Sequence, residues 1–338
     1  MMCVFFLLAC ASPGGGSGAD PSQAFDYPLD DTLTFADLQA IGTHNSYHVE
    51  TEGVTTPEWA YTHLPLDEQL GLQGVRQFEL DLYYDEDEGY LAHHIPILDQ
   101  TSNCPTFVEC LEDMKRWSDA NPAHHPLMTL IELKDPFPED PEEAVERLAA
   151  LEAALCSVWP PSRLITADDV RRDAPDLKSA VEGVGWPTLG ELRGRAMFVL
   201  HAGSSWRELY LGPDGETDGR LLVPDGQGDI DAPWAAVHAV NDPVGGAAQI
   251  GELVLAGHLV RTRADSDSEE ARAGDSSRLE AALASGAHFL STDYPAPREG
   301  VDYVAGIPGG TPSNCNPVTA PAECSAEAVE DPGFVGAR

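Results

Sequence analysis

The sequence predicts an α/β protein, a (β/α)8 barrel of irregular form, on two observations. Short apolar runs of strand length alternate with stretches of helical periodicity along most of the 338-residue chain. Polar side chains collect where those runs end, the rim that carries chemistry in such a barrel. A barrel of this kind takes about 250 residues, which leaves room for flanking segments, and a 42% hydrophobic content can bury its core. A doubly wound sheet is the alternative arrangement of the same elements.

The first strand is expected over residues 38–43 (LQAIGT) and the second over 75–82 (VRQFELDL). In the second, Val75, Gln77, Glu79 and Asp81 share one face, and Phe78, Leu80 and Leu82 share the other. Residues 90–94 follow an acidic loop as a third strand, and 127–133 (LMTLIEL) is nearly continuous in apolar residues, as a strand buried on both faces would be. Further strands are expected at 196–201, 235–240, 257–262 and 287–292. Between them, Ala144, Leu148, Leu151 and Leu155 recur at helical spacing. Asp275 reads as the N-cap of a helix carrying Leu279 and Leu283 on one face, with Gly286 ending it.

Outside the barrel, expected over residues 25–300, lie two segments of different character. Residues 1–24 read as an export segment and Gly/Ser/Pro tether, in which Leu7-Leu8-Ala9-Cys10 resembles a bacterial lipoprotein box with Cys10 as the lipidated residue. No Lys or Arg precedes Arg76, so the usual positive start of such a signal is missing, as expected if the true start lies upstream. Residues 301–338 form a Gly/Pro-rich extension. Cys104 with Cys110 and Cys315 with Cys324 are close enough in sequence to close small disulfide loops, the second stapling the extension, as suits an exported protein. Cys156, at the end of an amphipathic helix, reads as a buried free thiol. No later run has the apolar length of a membrane span.

Lys and Arg total 19 against 57 Asp and Glu, a net charge of −38. That balance opposes nonspecific binding of nucleic acid or an anionic membrane, and fits a cationic cofactor. The candidate site follows from the strand ends: His44-Asn45 after the first strand, Glu79 and Asp81 in the second, His93-His94 after the third, Glu132 and Lys134 on one face of the fourth. Carboxylates two residues apart on a buried face repel unless a cation lies among them. Asn45, Glu79, Asp81 and Glu132 offer only oxygen ligands, which favour a hard ion, Ca2+ first and Mg2+ second. A metal of this kind beside two histidines, His44 and either His93 or His94, suits phosphodiester cleavage, one histidine taking a proton and the other giving one. The remaining histidines, His48, His63, His124, His125, His201, His238, His258 and His288, read as structural. The run from Asp85 to Glu88 reads as a solvated loop.

Four runs, Ile41-Gly42-Thr43-His44-Asn45-Ser46-Tyr47, Phe78-Glu79-Leu80-Asp81, His94-Ile95-Pro96-Ile97-Leu98-Asp99 and Ile131-Glu132-Leu133-Lys134, resemble the catalytic half of phosphatidylinositol-specific phospholipase C. Val260-Arg261-Thr262-Arg263-Ala264-Asp265 and Ser291-Thr292-Asp293-Tyr294 resemble the bacterial calcium-dependent branch, over residues 36–320 in all. The resemblance implies a TIM-barrel fold, calcium dependence and a phosphodiester substrate, an inositol phospholipid or a related compound. It implies His44 and His94 as the catalytic pair, His94 being chosen over His93 because it directly precedes the Ile-Pro step. Asn45, Glu79, Asp81 and Glu132 would bind metal, Lys134 and Arg263 would neutralise phosphate oxygens, and Tyr294 would touch the head-group ring. Two rival readings are a glycerophosphodiester phosphodiesterase, in which arginine rather than Asn45 would follow the first histidine, and a lipid-anchored binding protein without turnover.

Overall fold

The computed structural model describes residues 25–336 apart from 54–55 and 214, so the expected export segment and its Cys10 lie outside the described residues. Among the described residues ten strands are present: β1 (Leu38–Thr43), β2 (Gln77–Asp85), β3 (Gly89–Ala92), β4 (Leu127–Leu133), β5 (Ala196–His201), β6 (Val223–Pro224), β7 (Val237–Ala239), β8 (Leu259–Arg263), β9 (Phe289–Thr292) and β10 (Asn314–Cys315). Eight of them run in the order β6-β5-β4-β2-β1-β9-β8-β7, paired in parallel. A single parallel bridge, Asp225 to Val237, joins the two edges. The expected barrel is therefore present, with a thin seam between β6 and β7.

Strand alternation sorts the apolar residues into two bodies. Inward positions such as Leu38, Ala40, Met128, Leu130, Met197, Val199, Val237, Leu259 and Phe289 fill the barrel, with Leu33 and Phe35 packed among them. Outward positions such as Phe78, Leu80, Leu82, Ile131, Phe198 and Leu200 meet the surrounding helices. The helix Pro141–Val158 buries Ala144, Leu148, Leu151 and Leu155, the face its spacing predicts, and Asp140 caps it by accepting the N–H of Glu142. Gly42 is needed inside the barrel because a Cβ there would collide with the Gln77 side chain across the β1–β2 pair.

Two expectations are corrected. The third expected strand is not a barrel stave: β3 turns back antiparallel on the overhanging end of β2, Leu82 facing Ala92 and Asp85 facing Gly89. The missing stave is the two-residue β6. Cys156 is half-buried and disulfide-bonded rather than a buried free thiol. The other two bridges form as expected, Cys104–Cys110 and Cys315–Cys324.

The extension is fastened to the barrel by β10 on β1 and by a buried ion pair. Glu330 accepts from Arg76 Nε at 2.6 Å and from the backbone N–H of His125 at 2.9 Å, and both charged side chains are fully buried. No helix among the described residues is long and apolar enough to cross a membrane.

Candidate active site

Counting in twos along the paired strands places a ring of polar side chains at the C-terminal mouth of the barrel. Asp81 of β2 is level with Glu132 of β4, and Glu132 with His201 of β5. The same alternation continues to Asp225 after β6, Arg263 of β8, and His44 and Asp293 just past the level pair Gly42 and Ser291.

Two of the imidazoles are held by buried carboxylates. His44 Nδ1 lies 2.9 Å from Asp293 Oδ1, with the imidazole 21% and the carboxylate 1% exposed. Burial would push Asp293 up, but His44 and Arg263 outweigh it and keep it ionised. A carboxylate there fixes the proton on Nδ1 and leaves Nε2 as a lone pair at the mouth. Burial, then the Arg263 guanidinium, lower the His44 pKa, against the pull of Asp293. Arg263 Nη1 sits 3.4 Å from Nε2 and its Nη2 is 3.3 Å from Asp293 Oδ2.

His94 is held in the same way. Its Nδ1 is 2.9 Å from Asp99 Oδ2, an oxygen that also receives His48 Nε2 at 2.9 Å, while Thr51 donates to Oδ1. Burial raises Asp99, and these hydrogen bonds, first those of His48 and His94, more than reverse it. The β2–β3 hairpin explains the position, since it carries the chain out past the rim and back. His93, by contrast, stacks on Tyr83 at 4.5 Å with its Nε2 buried and unpartnered, and burial lowers its pKa.

A carboxylate cluster is drawn from β2 and β4. Glu79, Asp81 and Glu132 can bring one oxygen each within 4.8 Å of one another, the one such group among the described residues. Ser46 pins Glu79 by its backbone, donating its N–H to the Glu79 carbonyl and accepting the Glu79 N–H on Oγ, both at 2.9 Å. That turn requires a left-handed residue, and Asn45 supplies it at φ 43°. Arg261 below the cluster bonds Glu79 and, at 3.0 Å, Ser291. Lys134 Nζ lies 2.9 Å from Glu132 and 3.4 Å from Asp81. Burial, then Glu132, raise the Asp81 carboxyl well above its usual range. Asp81 Oδ1 is buried with no partner. An all-oxygen carboxylate set with an unsatisfied buried oxygen fits a hard divalent cation.

The sequence model of the family described as Ca2+-dependent phosphoinositide phospholipase C matches residues 33–95 and 92–317. The chain belongs to this family. Its members are phosphoric diester hydrolases and their cofactor is calcium. The fold agrees with solved phosphatidylinositol-specific phospholipases C. The Ca2+-dependent phosphatidylinositol-specific phospholipase C of Streptomyces antibioticus is 20% identical, aligned over 78% of this chain and 96% of that one, with a TM-score of 0.58. The calcium-dependent enzyme of a Pseudomonas species is 19% identical over 83% and 98%, TM-score 0.55. The Listeria monocytogenes phospholipase is 13% identical over 80% and 93%, TM-score 0.51. Among curated protein sequences none matches.

Within this phospholipase C family barrel, His44, Asn45, Glu79, Asp81, His94, Glu132, Lys134 and Arg263 gather at the mouth or its rim. Tyr294 does not: it is 4% exposed, packs against Tyr303 at 6.1 Å and belongs to the apolar layer outside the barrel. Lys134 meets the expected metal ligands themselves. Asp293, Asp99, Arg261 and Asp225 carry no role in the sequence motifs, and His201 reads there as structural. The signal for His201 and Arg261 was strand parity, two residues beyond apolar inward positions. Asp99 and Asp293 are single buried carboxylates whose partners lie far off in sequence or across a turn. Beside the mouth, the loop joining His94 to Asp99 exposes Ile97 by 90% and Leu98 by 59%. The cavity of about 420 Å3 between the barrel flank and the extension, lined by Ile41, Pro297, Ile307 and Pro312, holds no ionisable group.

Proposed function

We propose that the chain cleaves inositol phospholipids through a cyclic phosphodiester, with His44 as the base, His94 as the acid, and Asn45, Glu79, Asp81 and Glu132 as the calcium ligands. The observation that carries this reading is the pair of imidazoles His44 and His94, each with Nδ1 on a buried carboxylate, His44 also having its Nε2 beside the Arg263 guanidinium. His44 Nε2 takes the proton of the ring hydroxyl next to the phosphate. The hydroxyl oxygen bonds to phosphorus, the bond to the diacylglycerol oxygen breaks, and His94 Nε2–H gives that oxygen its proton. Arg263 stands beside His44 to meet a phosphoryl oxygen. Calcium, when bound, supplies positive charge to the phosphoryl group and acidifies the attacking hydroxyl. The attacking group is part of the substrate, and intramolecular attack has effective molarities of roughly 10⁵ M or more, so it outruns water.

The exposed Ile97 and Leu98 favour a lipid over a soluble diester, since an apolar tip at the mouth suits contact with a bilayer more than with water. Phosphorus NMR of a reaction with phosphatidylinositol should show a cyclic inositol phosphate before the linear ester. Rapid cleavage of diesters lacking a neighbouring hydroxyl, with solvent oxygen entering in the first step, would overturn the mechanism. No cleavage with or without calcium would instead make the chain a binding protein. Export and anchoring through Cys10 belong to the same reading, and mass spectrometry of the mature chain should find a lipid on Cys10; a mature terminus downstream of it would mean plain secretion.

A further inference from the structure

One histidine at the mouth is not used by the acid/base pair. His201 ends β5 and points inward by alternation: its partner across the ladder is Glu132, and two residues earlier Val199 faces Leu130 in the barrel interior. Its Nδ1 bonds Asp225 Oδ2. Asp225 is fully buried, and its Oδ1 accepts the backbone N–H groups of Gln227 and Ala239 at 2.8 and 2.9 Å. With two backbone donors on one oxygen and the imidazole on the other, Asp225 is an acceptor throughout, which puts a proton on His201 Nδ1 and turns Nε2 away from it. Among the described residues no hydrogen bond reaches that Nε2, and the imidazole is 22% exposed. A buried carboxylate devoted to aiming an imidazole whose other nitrogen meets no protein group is the construction of a binding position.

We propose that His201 is a substrate-binding residue that takes a hydroxyl of the polyol head group on Nε2, on the side of the carboxylate cluster away from His44. The strand order carries the placement. Going round the barrel, β4 and β2 stand between β5 and β1, so Glu132, Asp81 and Glu79 separate His201 from His44. With the scissile phosphate between the cluster and His44, the far part of the head group extends toward β5. A hydroxyl both donates and accepts, so it pairs with Nε2 whether or not that nitrogen carries a proton. The inference rests on the reading of the site as a diesterase for a polyol head group.

The probe is free myo-inositol, titrated calorimetrically into the calcium-loaded wild type, His201→Ala and His201→Gln, alongside steady-state kinetics on phosphatidylinositol. His201→Ala should weaken inositol binding and raise KM by about ten-fold, as loss of one substrate hydrogen bond predicts, with kcat and calcium affinity close to wild type. His201→Gln, whose amide can still reach a hydroxyl, should recover part of the loss. Equal inositol affinity in wild type and His201→Ala, no inositol binding by the wild type, or a loss confined to kcat would overturn the inference. If inositol binds the wild type and His201→Ala weakens it, yet phosphatidylinositol is not cleaved, the inference stands and the proposed reaction falls.

Discussion

Asp293→Asn removes a charge while keeping the side chain's shape, and so tests whether His44 is a base held by a carboxylate. Asp293 is 3% exposed, with one oxygen 2.9 Å from His44 Nδ1 and the other 3.3 Å from Arg263, and its backbone N–H donates to Asp265 Oδ1 at 3.0 Å. Asparagine fits this space, but its amide nitrogen can donate to Nδ1 and drive the proton onto Nε2, where a base needs a lone pair. A positioned base contributes about 10²- to 10⁴-fold, and the same exchange in a serine protease triad costs about 10⁴, so kcat should fall within that range, about 3–5 kcal/mol of barrier. The pH profile should shift as well. A base at His44 would work unprotonated, so kcat/KM should rise with pH through its pKa. Burial and Arg263 lower that pKa while Asp293 raises it, so removing the carboxylate moves the acid limb to still lower pH as the plateau falls. The assay is kcat/KM against pH, with calcium titration and thermal denaturation as controls. An unchanged rate, an acid limb moved to higher pH, or lost calcium binding would refute the reasoning.

His94→Ala should lose about 10²-fold or more in kcat while His93→Ala, whose ring only stacks on Tyr83, keeps most of it; the reverse order would exchange their roles. Chelation should abolish turnover reversibly. Because burial and Glu132 raise the Asp81 carboxyl in the metal-free protein, calcium binding should expel a proton and weaken as pH falls; identical binding heats in buffers of different ionisation enthalpy would refute this. Glu330→Ala strands the fully buried Arg76 and should cost about 3–5 kcal/mol in denaturant unfolding, whereas a loss near zero would mean the pair is dispensable. Wild-type stability should fall as pH drops from about 6.5 to about 4. Burial lowers His125 to about 4, so over that window the unfolded chain takes up a proton that the folded chain refuses. Flat stability across the window would contradict it.

How far the sequence disclosed this depends on which forces act locally. The bounds of β1, β4 and β5 coincide with their apolar runs because strands buried on both faces need nearly continuous hydrophobicity. β6 escaped because two residues, one a proline, carry no periodicity. Residues 90–94 read as a barrel stave because a strand's sequence does not state its partner; the β2 overhang that captures β3 is a matter of register. In the site, the carboxylates that repel along one strand face were legible, as was His44 at a strand end. Asp293 and Asp99 were not, because a buried aspartate is informative only once its partner is known. Arg261 illustrates the same limit, since its meaning depends on Glu79, 182 residues away.

Arg261 and Lys134 also bear on the order in which the enzyme is assembled. The cluster holds three acids, Glu79, Asp81 and Glu132, against two fixed cations in contact with them. The surplus negative charge is absorbed by the proton that the raised Asp81 keeps. Without an ion these five side chains therefore balance, and the cluster needs no metal to offset its charge, unlike a zinc finger. Calcium held there would displace that proton and leave these five side chains and the ion one unit positive. A phosphodiester carries one negative charge, which that unit would offset.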